Sequence, residues 1–146
     1  MNSIDFGNIG YIFALFFSAI GSAVGTCAAG MAAMAAWKKC FMSDKAAPFI
    51  IIAFVGAPLS QTIYGMILMN SLRSAPPSVP SLTNILVGIL GGLAIGTSAW
   101  LQGKAGALAS DALTDSGKGF GNYIMVLGII ETVALFVMVF FMTTLR

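Results

Sequence analysis

Glu131 is the single glutamate of the chain, and it lies near the middle of an apolar run from Tyr123 to Met142. That run is about twenty residues long, the length a bilayer core requires of a helix. A carboxylate at such a depth costs about 2.5–3.5 kcal/mol on insertion scales, so it calls for partners and a task. Few other polar groups can share its level: Ser60, Gln61 and Tyr64 in F-V-G-A-P-L-S-Q-T-I-Y-G, and Gln102 in T-S-A-W-L-Q-G-K-A-G-A. Ala57, Gln61 and Tyr64 fall on one helical face, with Ser60 to its side. Pro58 cannot donate to the carbonyl of Phe54, so it kinks the helix and frees backbone oxygen at membrane depth. A carboxylate, two amide oxygens, a hydroxyl and freed carbonyls form a hard oxygen set with one negative charge. Such a set suits a dehydrated monovalent cation, whereas magnesium and calcium demand more charge and water. A proton on Glu131 would also remove the charge, but it would not need two glutamines. Sodium is therefore the expected ion and a proton the alternative.

The elements that must hold these groups are helices in a membrane. A chain of 146 residues that is 58% hydrophobic and 8% charged lies outside the range of soluble domains. Four apolar segments stand out, about 10–37, 47–72, 81–109 and 120–145. The first is not expected to be a removable signal, because it is long and its leader M-N-S-I-D-F holds an acid and no basic residue. Pro76, Pro77 and Pro80 end the second segment. The expected fold is all-α: a single membrane domain of two antiparallel hairpins, 10–75 and 81–146. Measured from the near ends of their helices, Gln61, Gln102 and Glu131 lie roughly 21, 12 and 18 Å deep. They can share a level, provided the helix of Gln102 continues past residue 110.

The hairpins read as copies. G-S-A-V-G-T at 21–26 resembles G-L-A-I-G-T at 92–97, and Q-T-I at 61–63 resembles E-T-V at 131–133, which indicates an internal duplication with parallel repeats. Gly21, Gly25, Ala29 and Ala33 form a smooth ridge on the first helix, as do Gly88, Gly92 and Gly96 on the third. Such ridges admit another backbone at close range, either within one bundle or in the inner circle of an oligomeric ring.

The remaining polar residues mainly exclude functions. Seven basic residues scattered over the chain make no nucleic-acid surface. The absence of histidine removes imidazole metal sites and histidine acid–base chemistry. Cys27 and Cys40 stand about 20 Å apart along one helix, too far to form a disulfide. No Walker-type phosphate loop is present, since G-K-A-G-A lacks both its spacing and its Ser or Thr. The chain is thus not expected to be an enzyme by itself. Lys38, Lys39, Lys45, Lys104 and Lys118 oppose Arg73 and Arg146, which places the 38–46 and 110–118 loops in the cytoplasm and both termini outside. Trp100 and Lys104 read as marking approach to the membrane interface.

Two fused hairpins with P-L-S-Q-T-I-Y-G in the second span, L-Q-G-K-A in the third and a mid-helix glutamate in the fourth resemble the proteolipid subunit K of V-type sodium-translocating ATPases. The resemblance covers nearly the whole chain. It implies a rotor ring of identical subunits, each carrying one sodium ion held by the Ala57 backbone oxygen, Ser60, Gln61, Gln102 and Glu131, with Tyr64 closing the carboxylate. It implies further partners: membrane lipid, a stator subunit whose arginine forces ion release, and a central-stalk subunit at the cytoplasmic loops. Trp37, Lys38, Lys39 and Phe41 are the candidates for that last contact. Ser60 stands where the family's sodium-binding members carry threonine, and Ala57 where they carry a larger aliphatic residue. Gln61 would occupy in the first hairpin the place of an ancestral second carboxylate, so fewer ions cross per turn, which suits a pump more than a synthase. A different class of function, a small four-helix secondary transporter exchanging protons for cations at Glu131, is the alternative.

Overall fold

The computed structural model describes residues 9–145; Arg146 and the leader, on which part of the orientation argument rests, lie outside them. Four helices long and apolar enough to cross a membrane form the fold: α1 Gly10–Met42, α2 Phe49–Arg73, α3 Ser81–Ser116 and α4 Phe120–Thr143. No strand occurs among the described residues. The chain is an all-α, multi-pass membrane protein.

Helix ends follow local chemistry. α1 passes residue 37 and takes in Lys38 to Met42, because no breaker intervenes before Ser43 and Asp44, the latter in the left-handed region at φ 52°. Cys40 is therefore a buried helical residue, and both cysteines are free. α3 likewise runs past 109 to Ser116, where Gly117 (φ 67°) caps it by donating from its N–H to the carbonyl of Leu113. Gly119 at φ 91° starts α4. Two left-handed glycines so close together turn the chain back within a few residues, a conformation costly for any residue with a Cβ. α2 is not one uniform helix. It opens as a 3₁₀ turn at Phe49–Ile51, and it tightens again into a 3₁₀ turn at Ala57–Leu59 around Pro58 before α-helix resumes at Ser60.

α1 and α3 run parallel and touch backbone to backbone. A Cβ at Gly21 would meet the main chain of Gly96, one at Gly88 the carbonyl of Gly10, and one at Gly103 the main chain of Gly25. The small-residue ridges are thus used within the chain, joining the first helices of the two hairpins. α2 lies against α1, α4 against α3, and the two outer helices also touch each other. An exposed ion pair, Lys39 Nζ to Asp111 Oδ1 at 2.6 Å, joins the far ends of α1 and α3. It contributes at most about 1 kcal/mol.

The buried apolar residues fall into two clusters. One holds Leu68, Leu72, Ile95, Ala134 and Met138; the other holds Ile51, Phe54, Ala109, Leu113 and Leu127. The polar candidates lie between the two. The bundle is therefore greasy at both ends and polar in one middle layer.

Candidate functional site

α2, α3 and α4 each contribute to that middle layer. Gln61 and Gln102 are both 0% exposed, while Glu131, Ser60 and Tyr64 are half-buried. A buried primary amide with unmet hydrogen bonds costs about 1–3 kcal/mol, so these side chains must find partners. They find one another. Tyr64 Oη donates to Glu131 Oε1 at 2.7 Å. Gln102 Nε2 donates to the Leu127 carbonyl at 2.9 Å and to Glu131 Oε2 at 3.3 Å. Gln61 Nε2 donates to Gln102 Oε1 at 2.7 Å. Ser60 Oγ stands 3.1 Å from both Gln61 Oε1 and the Ala57 carbonyl.

One atom orients the whole series. The Leu127 carbonyl is an acceptor only, so the nitrogen of Gln102 must face it, which turns the Gln102 oxygen toward α2. Gln61 must then present its nitrogen to that oxygen and its own oxygen to Ser60. The result is an unbroken relay from the α2 main chain at Ala57, through Ser60, Gln61 and Gln102, to Glu131 on α4.

The local backbone explains why Ala57 takes part. The 3₁₀ turn at Ala57–Leu59 ends as Ser60 begins the next α-helical segment, so the Ala57 carbonyl lies at a change of hydrogen-bonding register. It faces the Ser60 hydroxyl three residues on. Freed oxygen is thus not confined to Phe54, where the missing proline donor alone would place it. Gln102 reaches the level of Glu131 because α3 continues to Ser116.

Every candidate from the sequence, Ala57, Ser60, Gln61, Tyr64, Gln102 and Glu131, lies in this layer, with Pro58 buried beside it. Sequence reasoning missed Ser98. It is 6% exposed, and its Oγ donates to the Ile130 carbonyl at 2.9 Å, one residue before Glu131. The signal was available: Ser98 precedes Gln102 by four residues, so both project from one face of α3. Together they tie α4 at Ile130 and Leu127. Ser98→Ala is expected to weaken α3–α4 packing by about 0.6 kcal/mol, a typical value for an interhelical hydrogen bond in a membrane. Thermal unfolding in detergent would measure it, and an unchanged midpoint would show that the bond holds nothing.

Lys104, read from sequence as near the interface, lies elsewhere. It follows Gln102 by two residues, and its Nζ is 4.3 Å from the centroid of the Trp100 ring. Lys104 therefore leaves the loop count that set the orientation. Lys38, Lys39, Lys45 and Lys118 remain on the side of the 38–46 and 110–118 loops, with Arg73 opposite among the described residues.

The layer has the chemistry of a carboxylate held at both oxygens, with further neutral oxygens in line behind it. No group of three or more His, Cys, Asp or Glu able to hold a metal occurs among the described residues, so the charge of the layer comes from Glu131 alone. A comparison with curated proteins gave no match. Residues 85–143, which hold α3 from its second turn, all of α4 and both Gln102 and Glu131, match the family model of the ATP synthase C-subunit, and the second hairpin of this chain belongs with that family.

Proposed function

We propose that this chain is the ion-carrying member of a V-type rotor ring, binding one sodium ion at Glu131 and moving it across the membrane as the ring turns. The observation that carries the choice of ion is the polarity of the site. Both oxygens of Glu131 face donors, the Tyr64 hydroxyl and the Gln102 amide. A carboxylate wants such partners; a carboxylic acid would need an acceptor for its proton. The oxygens of Gln61 and Gln102, the Ser60 hydroxyl and the Ala57 carbonyl are the neutral ligands that would complete the shell of a monovalent cation. Sodium displaces the amide-to-amide contact and takes the oxygens in its place.

In this reading Glu131 loads an ion from a half-channel in a neighbouring stator protein, carries it while facing lipid, and releases it when a stator arginine competes for the carboxylate. The 38–46 and 110–118 loops lie in the cytoplasm, where the first meets a central-stalk protein, and both termini lie outside. The first hairpin is a duplicate in which Gln61 replaced the carboxylate, so each double hairpin carries one charge. Hydrolysis of ATP belongs to other members of the assembly. The secondary-transporter alternative has no observation in its favour, and the family match of the second hairpin counts against it.

Carboxyl-reactive carbodiimide tests the proposal. Glu131 is expected to be the modified residue, and sodium at near-neutral pH is expected to protect it. Protection that depends on pH alone would make the cargo a proton, and indifference to both would end the carrier reading. Tyr64→Phe removes a hydrogen bond to a charged group, worth about 1.5–3 kcal/mol. The sodium concentration for half-protection is therefore expected to rise about ten- to a hundredfold. An unchanged midpoint would take Tyr64 out of the site.

A further inference from the structure

Lys104 is a cation at the wrong depth. Glu131 is at the middle of the 24-residue α4, and Gln102 is hydrogen-bonded to it. Two residues further along α3, Lys104 stands about 3 Å along the axis from Gln102. With an apolar layer of about 30 Å, that leaves its Cα about 10 Å inside the lipid boundary. Deep lysines ordinarily reach outward to the headgroups. This one does not: its ammonium leans back along the helix over the ring of Trp100.

The ammonium leans toward a groove. Phe17, Ile20 and Val24 of α1 with Leu93, Thr97 and Trp100 of α3 line an apolar channel of about 290 Å³. Lys104 continues the 93–97–100 stripe of α3 by one more turn. The groove is wide enough for an acyl chain, and the cation lies at its end.

The chain does not supply the missing anion. Asp111 lies on the same stripe but is about 10 Å further along the helix and is paired with Lys39. Asp44 and Asp115 belong to the same end of the bundle as Asp111. Glu131 shares the level of Lys104 but is held by Tyr64 and Gln102, and Gln102 leaves α3 on the opposite side from Lys104. A second copy would bring the same residues and no new acid at that depth.

We propose that the α1–α3 face binds an anionic phospholipid, with its acyl chain in the groove and its phosphate on Lys104 beside Trp100. The headgroup then sits well inside the level of the surrounding leaflet, so the lipid on this face is displaced along the helix axis. The proposal needs only that the bundle spans a membrane; it is independent of which ion Glu131 carries.

The test is lipid retention. The purified chain, in whatever assembly it keeps, is equilibrated with mixed vesicles of phosphatidylglycerol and phosphatidylcholine. It is then stripped by detergent exchange, and the retained lipid is counted by mass spectrometry. The wild-type chain is expected to keep phosphatidylglycerol in preference. Lys104→Met is expected to lose that preference about fivefold, the weight of one lysine at an anionic headgroup, while Lys104→Arg keeps it. Thr97→Phe, which fills the groove and leaves the charge, is expected to lower retention of both lipids. Sodium protection of Glu131 against carbodiimide is read on each variant as the check that it is folded. Equal retention of the two lipids by the wild type overturns the proposal without reference to any variant. Undiminished preference in a folded Lys104→Met chain also overturns it, as does displacement of phosphatidylglycerol by inorganic phosphate, which would give the ammonium a soluble anion instead.

Discussion

Glu131→Gln is expected to abolish sodium binding and carbodiimide labelling while leaving the four helices folded. Glutamine has nearly the shape of the carboxylate, and the Tyr64 hydroxyl can still donate to its amide oxygen, so packing hardly changes. What disappears is the only negative charge in the layer. A sodium ion among Gln61, Gln102, Ser60 and Ala57 oxygens would then be an uncompensated charge in an apolar medium, and removing one member of a buried charge pair costs about 3–5 kcal/mol. That corresponds to a loss of affinity of about two to four orders of magnitude, enough to remove binding at any ordinary sodium concentration. Isotope binding to the purified protein measures it, and the thermal midpoint shows whether the fold is intact. Sodium binding at wild-type strength would place the ion somewhere other than Glu131, and loss of the fold would make Glu131 structural.

Gly21→Val should do the reverse and destroy the bundle while leaving every site residue in the sequence. The new Cβ would coincide with main-chain atoms of Gly96, and main chain cannot turn aside as a flexible side chain can. α1 and α3 would have to part along a contact that also involves Gly10, Gly25, Gly88 and Gly103. Overpacking commonly costs about 1–3 kcal/mol where side chains can adjust, and a backbone-to-backbone seam should exceed that range. Gly30→Ala is the control. Its Cβ would meet only Val55 Cγ1 at 3.6 Å, an ordinary contact, and alanine is the better helix former by about 0.5–1 kcal/mol. Yield and thermal midpoint in mild detergent should fall sharply for the first variant and hold or rise for the second. Equal behaviour of the two would mean that α1 and α3 do not meet through glycine.

Glu131 was legible because a lone acid in an apolar run has almost no structural excuse, and Gln61 and Gln102 were legible for the same reason. The four spans follow from hydrophobic length, and the α2 kink from Pro58. Less was visible where the answer lies in the main chain. The role of the Ala57 carbonyl depends on where a 3₁₀ turn ends, and residue types do not announce that register. The full lengths of α1 and α3 were hidden because Lys38, Lys39, Asp111 and Asp115 look like loop residues, yet a helix continues through charged positions until a breaker such as Gly117 stops it. Ser98 was overlooked because a serine among small residues suggests close packing before it suggests a bond. Lys104 was misplaced because its charge argued for the interface, whereas its two-residue spacing from Gln102 ties its depth to the site.

The carbonyl of Leu127 gives the polar layer a handedness. Rotating either amide by half a turn would set nitrogen against nitrogen or oxygen against oxygen at the next contact, and the fault would pass along to its neighbour. The three helices of the layer therefore fill and empty as one unit, with no stable half-loaded arrangement between. Because the atom that enforces this belongs to the main chain, replacing the side chain at residue 127 leaves the rule in force.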